Sequence, residues 1–210
     1  MADKDELAAG ETEGYKVGEK KTIDEYKNLG MLGVPCAALT TFNLHKDAED
    51  ESLNKWKASL GLGAAIGDPN DPRTVVIEKL SLKVEGRPDI EVDFTKTELS
   101  SLKSTPFVVK EKAEYRIYVQ FRVQHDVISG LKYVQVVKRK GIQVDKTEEM
   151  LGSYGPNNEK TPFYSKTLPI EVAPDGLLGR GTYTAKSRFT DDDKKIHLEF
   201  DWVIEIKKDW

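Results

Sequence analysis

Three consecutive aspartates, Asp191, Asp192 and Asp193, open the stretch DDDKKIHLEFDW, which continues through His197 to Trp202. Clustered carboxylates are the raw material of a cation site, and a calcium loop needs oxygen ligands at its positions 1, 3 and 5, glycine at 6 and glutamate at 12. Counted from Asp191, position 3 is Asp193, but positions 5, 6 and 12 are Lys195, Ile196 and Trp202. The spacing therefore rules out that loop and leaves two readings, a solvated turn between strands or one side of an ion-paired protein interface. His45, His125 and His197 have no paired spacing, so a zinc or general-base site would have to be assembled by the fold alone. The glycine clusters GLGAAIG and GLLGRG miss the order and the lysine of phosphate-binding loops and read as turns. Neither a G-x-S-x-G elbow nor a cysteine–histidine signature is present. These residues predict a binding protein with no catalytic residues, no cofactor and no metal.

The bulk composition narrows what such a protein would bind. Among 210 residues, 32 are Lys or Arg and 36 are Asp or Glu, for a net charge of −4. An acidic balance without a basic cluster argues against nucleic acid as a partner. Cys36 is the single cysteine, which excludes an internal disulfide and fits a reducing compartment. The start MADKDELAAGETEG is acidic and has no apolar segment of the secretory kind, and no run of 18 apolar residues occurs. The expectation is a cytoplasmic monomer with no stable membrane insertion.

The elements that would position the charged groups come in two kinds. Residues 1–20 carry nine charges and few apolar side chains beyond Leu7, Tyr15 and Val17, a composition expected to stay disordered when free. TIDEYKNL has the Thr22/Glu25 capping-box spacing, and DESLNKWKASLG places Leu53, Trp56 and Leu60 on one helical face with Gly61 as a stop. Residues 1–73 are thus expected to form a flexible, partly helical arm. From residue 74 the period changes to two. In EYRIYVQFRV the side chains of Tyr115, Ile117, Val119, Phe121 and Val123 share one face, and in HLEFDWVIEIKK those of Leu198, Phe200, Trp202, Ile204 and Ile206 do. Seven further short runs, separated by turns such as EGRPD, SYGPNN and APDG, complete the pattern. Residues 74–210 are predicted to be all-β, an antiparallel β-sandwich with one polar face per strand.

Several long stretches are similar to one family. DAEDESLNKWKASLG, FRVQHDVISGLKYVQ, KGIQVDKTEEMLGSYGPN, EVAPDGLLGRGTYTAKSRFTDDDKKIHLEFDW and IEIKKDW closely resemble the Rho GDP-dissociation inhibitors, from about residue 47 to the end, with a shorter piece at YKVGEKKTIDEYKNL. The resemblance implies an immunoglobulin-like sandwich and a 1:1 complex with GDP-bound, geranylgeranylated Rho-family small GTPases. Such a protein blocks GDP release, extracts its client from membranes and keeps it soluble in the cytosol, making and breaking no bond. A prenyl-binding transport factor with other lipidated clients is the alternative on the same fold. A lipid of about twenty carbons, at roughly 0.8 kcal/mol per buried CH₂, needs dry surface equivalent to about 15 kcal/mol. The resemblance places the prenyl slot at Leu80, Leu82, Phe107, Tyr115, Ile117, Val119 and Trp202, with Phe200 and Ile204 beside it. It assigns Asp50, Ser52 and Trp56 to the GTPase switch regions and Asp192 and Asp193 to an acidic hairpin facing switch II. Asp145 and Glu171 would face the basic stretch before the prenylated cysteine. On this reading the aspartate triplet belongs to an interface.

One stretch departs from the family. GMLGVPCAALTTFNLHK, residues 30–46, stands where the family has almost nothing. It reads as a retained intron: Gly-Met is codable across GGTATG, Ala-Leu-Thr can contain CTAAC, Lys46 can end in AG, and the 17 residues are a whole number of codons.

Overall fold

The computed structural model describes residues 5–10 and 67–210. The two expected arm helices, the stretch 30–46, and Asp50, Ser52 and Trp56 lie outside the described residues.

Two five-stranded sheets face each other. The first contains β1 (Val75–Val84), β2 (Ile90–Asp93), β4 (Glu114–Val123), β7 (Tyr164–Thr167) and β8 (Glu171–Val172), in the order β2-β1-β4-β7 with β8 also on β4. The second contains β3 (Phe107–Lys110), β5 (Ile128–Arg139), β6 (Ile142–Tyr154), β9 (Gly181–Thr190) and β10 (Ile196–Lys207), in the order β3-β10-β9-β5-β6. A 3₁₀ turn at Leu99–Lys103 carries the chain from one sheet to the other, and a four-residue helix, α1 (Gly176–Gly179), precedes β9. The alternation in β4 is realised residue for residue: Ile117, Val119, Phe121 and Val123 are buried while the residues between them are not. Side chains from both inner faces merge into one core that includes Leu80, Leu82, Phe107, Val119, Phe189 and Trp202.

The pairing is antiparallel except at one edge. β3 runs parallel to β10, from Ile204 opposite Phe107 to Lys207 opposite Lys110. Parallel neighbours cannot be joined by a hairpin, and between β3 and β10 the chain passes through β4, β7 and β8 of the first sheet and β5, β6 and β9 of the second. The run FYSKTLPIEV, read as a single strand, divides into β7 and β8 because Pro169 has no N–H to give a ladder.

The start of the chain corrects an expectation. Asp5–Gly10 is packed against the outer face of the second sheet, with Leu7 only 1% exposed against Val134 and Val136. Cationic side chains of that face supply what the composition of residues 1–20 lacks. Arg188 pairs with Asp5 and Lys138 with Glu6, while Lys146 donates to the Ala8 carbonyl at 3.1 Å. This also explains β5, where Lys132, Val134 and Val136 point away from the core yet are buried. At the other end of the arm, Gln124 donates to the carbonyls of Arg73 and Asp71, at 2.7 and 3.3 Å, and so ties residues 71–73 to the sandwich.

Candidate functional site

The predicted lipid-lining residues do not share one environment. Leu80, Leu82, Phe107, Ile117, Val119 and Trp202 form closed core, each no more than 5% exposed. Trp202 meets Phe107 edge to face at 5.0 Å between ring centres and donates its indole N–H to Ser187 Oγ at 2.9 Å. Tyr133 and Gln135 complete a fully buried polar knot with Ser187, Tyr133 donating to Gln135 Oε1 at 2.6 Å. A satisfied network of this kind fixes the packing around it.

Tyr115 stands apart from those six. It lines a cleft of about 570 Å³ that opens between the sheets where β4 and β8 face β5, β6, β9 and β10. That volume lies within the roughly 300–1,000 Å³ usual for small-molecule sites. The cleft exists because the first sheet is incomplete there: β8 is two residues long, flanked by Pro169 and Pro174, while β6 runs thirteen residues across the gap. Val137, Tyr183, Ile204 and Ile206 supply apolar walls, with Ile170 and Val172 on the opposite lip. Ile204 and Ile206 were legible as inward residues of the last strand. Val137, Tyr183, Ile170 and Val172 were not assigned from the sequence; alternation marks some as inward but does not show which inward residues are uncovered.

Carboxylates line the same mouth. Asp145, Glu149 and Glu171 all border the cleft, so two residues assigned to a basic partner segment are brought together at the mouth. Tyr115 donates its hydroxyl hydrogen to Glu171 Oε2 at 2.6 Å. Burial, followed by the charge of Glu171, pushes the Tyr115 phenol well above the ordinary tyrosine range. Burial also raises the Glu171 carboxyl; the Tyr115 hydroxyl opposes this, and the charges of Asp145 and Glu149 add to it. An apolar slot rimmed by three carboxylates suits a ligand with a greasy tail next to positive charge.

The aspartate triplet resolves into different roles. Asp191 is buried; it accepts the Lys195 N–H at 2.9 Å and lies 2.8 Å from His197 Nε2. The His197 ring is 1% exposed, enclosed beside Asp191. Asp192 turns its carboxylate inward, 3.3 Å from the buried Lys132 ammonium, and Asp193 is exposed at the hairpin tip. Among the described residues no group of three or more His, Cys, Asp and Glu side chains is arranged to hold a metal ion. No helix among them is long and apolar enough to cross a membrane.

Residues 1–209 match the family model described as RHO protein GDP dissociation inhibitor. The chain belongs to the Rho GDP-dissociation inhibitor family. It is 46% identical over 196 residues to the Rho GDP-dissociation inhibitor of Schizosaccharomyces pombe, covering 92% of this chain and 86% of the relative. The Saccharomyces cerevisiae protein of the same name is 45% identical over 199 residues, covering 92% and 90%. Rho GDP-dissociation inhibitor 1 of Homo sapiens is 49% identical over 198 residues, covering 93% and 86%. Rho GDP-dissociation inhibitors are regulatory binding proteins and not enzymes.

Proposed function

We propose that this protein binds GDP-loaded, geranylgeranylated Rho-family GTPases in a 1:1 complex, slows GDP release, draws its client off membranes and holds it soluble in the cytoplasm. The single observation that carries this reading is the open cleft between the sheets, apolar inside and acidic at its mouth. The isoprenoid enters beside Tyr115, Tyr183, Ile204 and Ile206, and its far end reaches the core around Leu80, Leu82, Phe107, Ile117, Val119 and Trp202 by parting those side chains. Asp145 and Glu171 then lie where the basic stretch before the prenylated cysteine passes. Burying about twenty carbons inside the sandwich offsets the roughly 15 kcal/mol that the bilayer otherwise provides.

The remaining contacts concern the protein part of the client. Asp50, Ser52 and Trp56 act on the switch regions, and the hairpin bearing Asp192 and Asp193 meets switch II. Contacts formed only with the GDP-bound switch conformation shift the client toward that state, since a ligand moves an equilibrium only by its differential affinity. The stretch 30–46 separates the two halves of the arm and, if removed by splicing, leaves a form with tighter switch contacts.

The test uses a geranylgeranylated, GDP-loaded Rho-family GTPase on phosphatidylcholine/phosphatidylserine vesicles. Adding the protein is expected to move the GTPase into the supernatant and to slow release of a fluorescent GDP analogue. An unprenylated client should show slowed release at higher protein concentration and no dependence on vesicles. A GTPase that stays on the vesicles and exchanges nucleotide at its unassisted rate would refute the reading.

A further inference from the structure

The strap formed by Asp5–Gly10 meets the acidic hairpin at the Lys132 ammonium group. Lys132 projects from the outer face of β5 and is 5% exposed. Its Nζ donates to the Gly10 carbonyl at 2.6 Å, and lies 3.3 Å from Asp192 Oδ1 and 3.9 Å from Glu148 Oε1. Glu148 in turn accepts the Gly10 N–H on both carboxylate oxygens at 3.0 Å. A buried ammonium needs its donors used, and removing one acceptor leaves the others to reorganise around it.

Asp192 occupies space that only glycine opens. Gly130 has φ +60, and a Cβ built there would lie 1.9 Å from Asp192 Oδ2. The Asp192 N–H donates to the Ser129 carbonyl at 3.1 Å, so the hairpin leans on the start of β5 through backbone as well as side chain. Strap, Lys132 and Asp192 therefore form one connected set, fastened at its other end by Leu7 between Val134 and Val136 and by Arg188 on Asp5.

We propose that Asp5–Gly10 is a positioning strap for the acidic hairpin: docked, it directs the Lys132 ammonium at Asp192 and holds the hairpin in the orientation that meets the client. This rests on the reading above that the hairpin contacts the GTPase. Lys132, Leu7 and Gly10 are then positioning residues for client binding without touching the client. When the strap lifts, the Gly10 carbonyl leaves Lys132, water reaches the ammonium, and the hairpin samples other orientations.

The experiment is a double-mutant cycle on the full chain with Leu7→Asp, which lifts the strap by placing a charge in an apolar socket, and Asp192→Asn. Affinity is measured for an unprenylated GDP-loaded Rho-family GTPase, so the lipid cleft plays no part. Leu7→Asp is expected to weaken binding about three- to tenfold, and the double variant to bind no worse than Asp192→Asn alone, because residues that act through one shared network, here the Lys132 ammonium, are coupled. Multiplicative losses in the double variant would overturn the proposal. Amide hydrogen exchange provides a second, client-independent measurement. Leu7→Asp should speed exchange at Asp192 and Lys195 while leaving the β1–β4 ladder unchanged; unchanged exchange at those two amides would also overturn it. A wild-type protein that binds no GTPase, yet shows the exchange effect, would sink the hairpin's assignment to the client while the strap itself stands.

Discussion

Tyr115 and Glu171 are joined at the mouth of the cleft by one hydrogen bond, hydroxyl to carboxylate at 2.6 Å. The same two residues are opposite each other in the β4–β8 ladder, so side chain and backbone together hold a strand of only two residues. A strand that short has little else to keep it in place, and the lip of the cleft moves with it.

Replacing Tyr115 with Phe should therefore loosen the lip. The expected loss in stability is about 1–2 kcal/mol, the cost of a hydrogen bond to a charged group that remains partly buried. Urea denaturation measures it. Hydrogen exchange at Val172 and Ala173 should rise together with the loss, and a variant as stable and as protected as the parent would show that the bond does not hold β8.

The raised Glu171 carboxyl gives a pH dependence with a definite sign. Burial is the main cause, assisted by Asp145 and Glu149. The folded state holds the proton more tightly than the unfolded chain, so this group adds stability at pH below its unfolded value and loses that contribution as pH rises through the folded value. A basic client segment needs the ionised form, so client affinity should run the other way and strengthen as pH climbs above the ordinary glutamate range. In Glu171→Gln both trends should flatten, visible in melts and in binding titrations across the acid range.

Asp191 titrates in the opposite sense. Burial raises its carboxyl, but the hydrogen bond to His197, the Lys195 N–H and the nearby positive charges outweigh burial and leave it lowered. Its contribution is present above the unfolded value and disappears as pH falls through the folded one. Asp191→Asn should lower stability at neutral pH and narrow its gap to the parent in acid. A gap that stays constant with pH would remove the carboxylate's charge from the account.

The Trp202 ring is 1% exposed. Trp202→Ala should cost about 3–5 kcal/mol, as large aromatic truncations in cores do. Ser187→Ala leaves the indole N–H without its acceptor and the Tyr133 hydroxyl with one hydrogen-bond partner fewer, and should cost about 1–3 kcal/mol. If the cleft reaches the core when occupied, a geranylgeranyl-cysteine peptide should lose affinity for Trp202→Ala in proportion beyond its loss for Ser187→Ala. Titration calorimetry at a temperature where both variants are folded decides this.

Gly130→Ala tests the seat of the hairpin. The left-handed backbone alone costs an alanine about 1–2 kcal/mol, and its Cβ would displace the Asp192 carboxylate as well. Chemical denaturation should show at least that backbone cost. A variant within about 0.5 kcal/mol of the parent would mean that Asp192 is not held against β5.

The strands were written in local pattern. EYRIYVQFRV became β4 over the predicted ten residues, because a side-chain period of two needs no information from elsewhere in the chain. Leu198, Phe200, Trp202, Ile204 and Ile206 were legible on β10 for the same reason. The long stretches shared with the Rho GDP-dissociation inhibitors placed the chain in its family, since dozens of residues in fixed order are specific where a short charge run is not. Other features depended on residues far apart in the chain. Val134 and Val136 are buried on the outer face with Leu7, more than a hundred positions earlier, packed against them. Nothing in the spacing of Asp191 and His197 paired them, and the hairpin folded them against each other. Leu80 and Tyr115 read alike as inward side chains, yet one is sealed in the core and the other opens on the cleft. Periodicity tells which side of a strand faces inward; whether anything lies opposite depends on where the other sheet stops, and only the packed sandwich decides that.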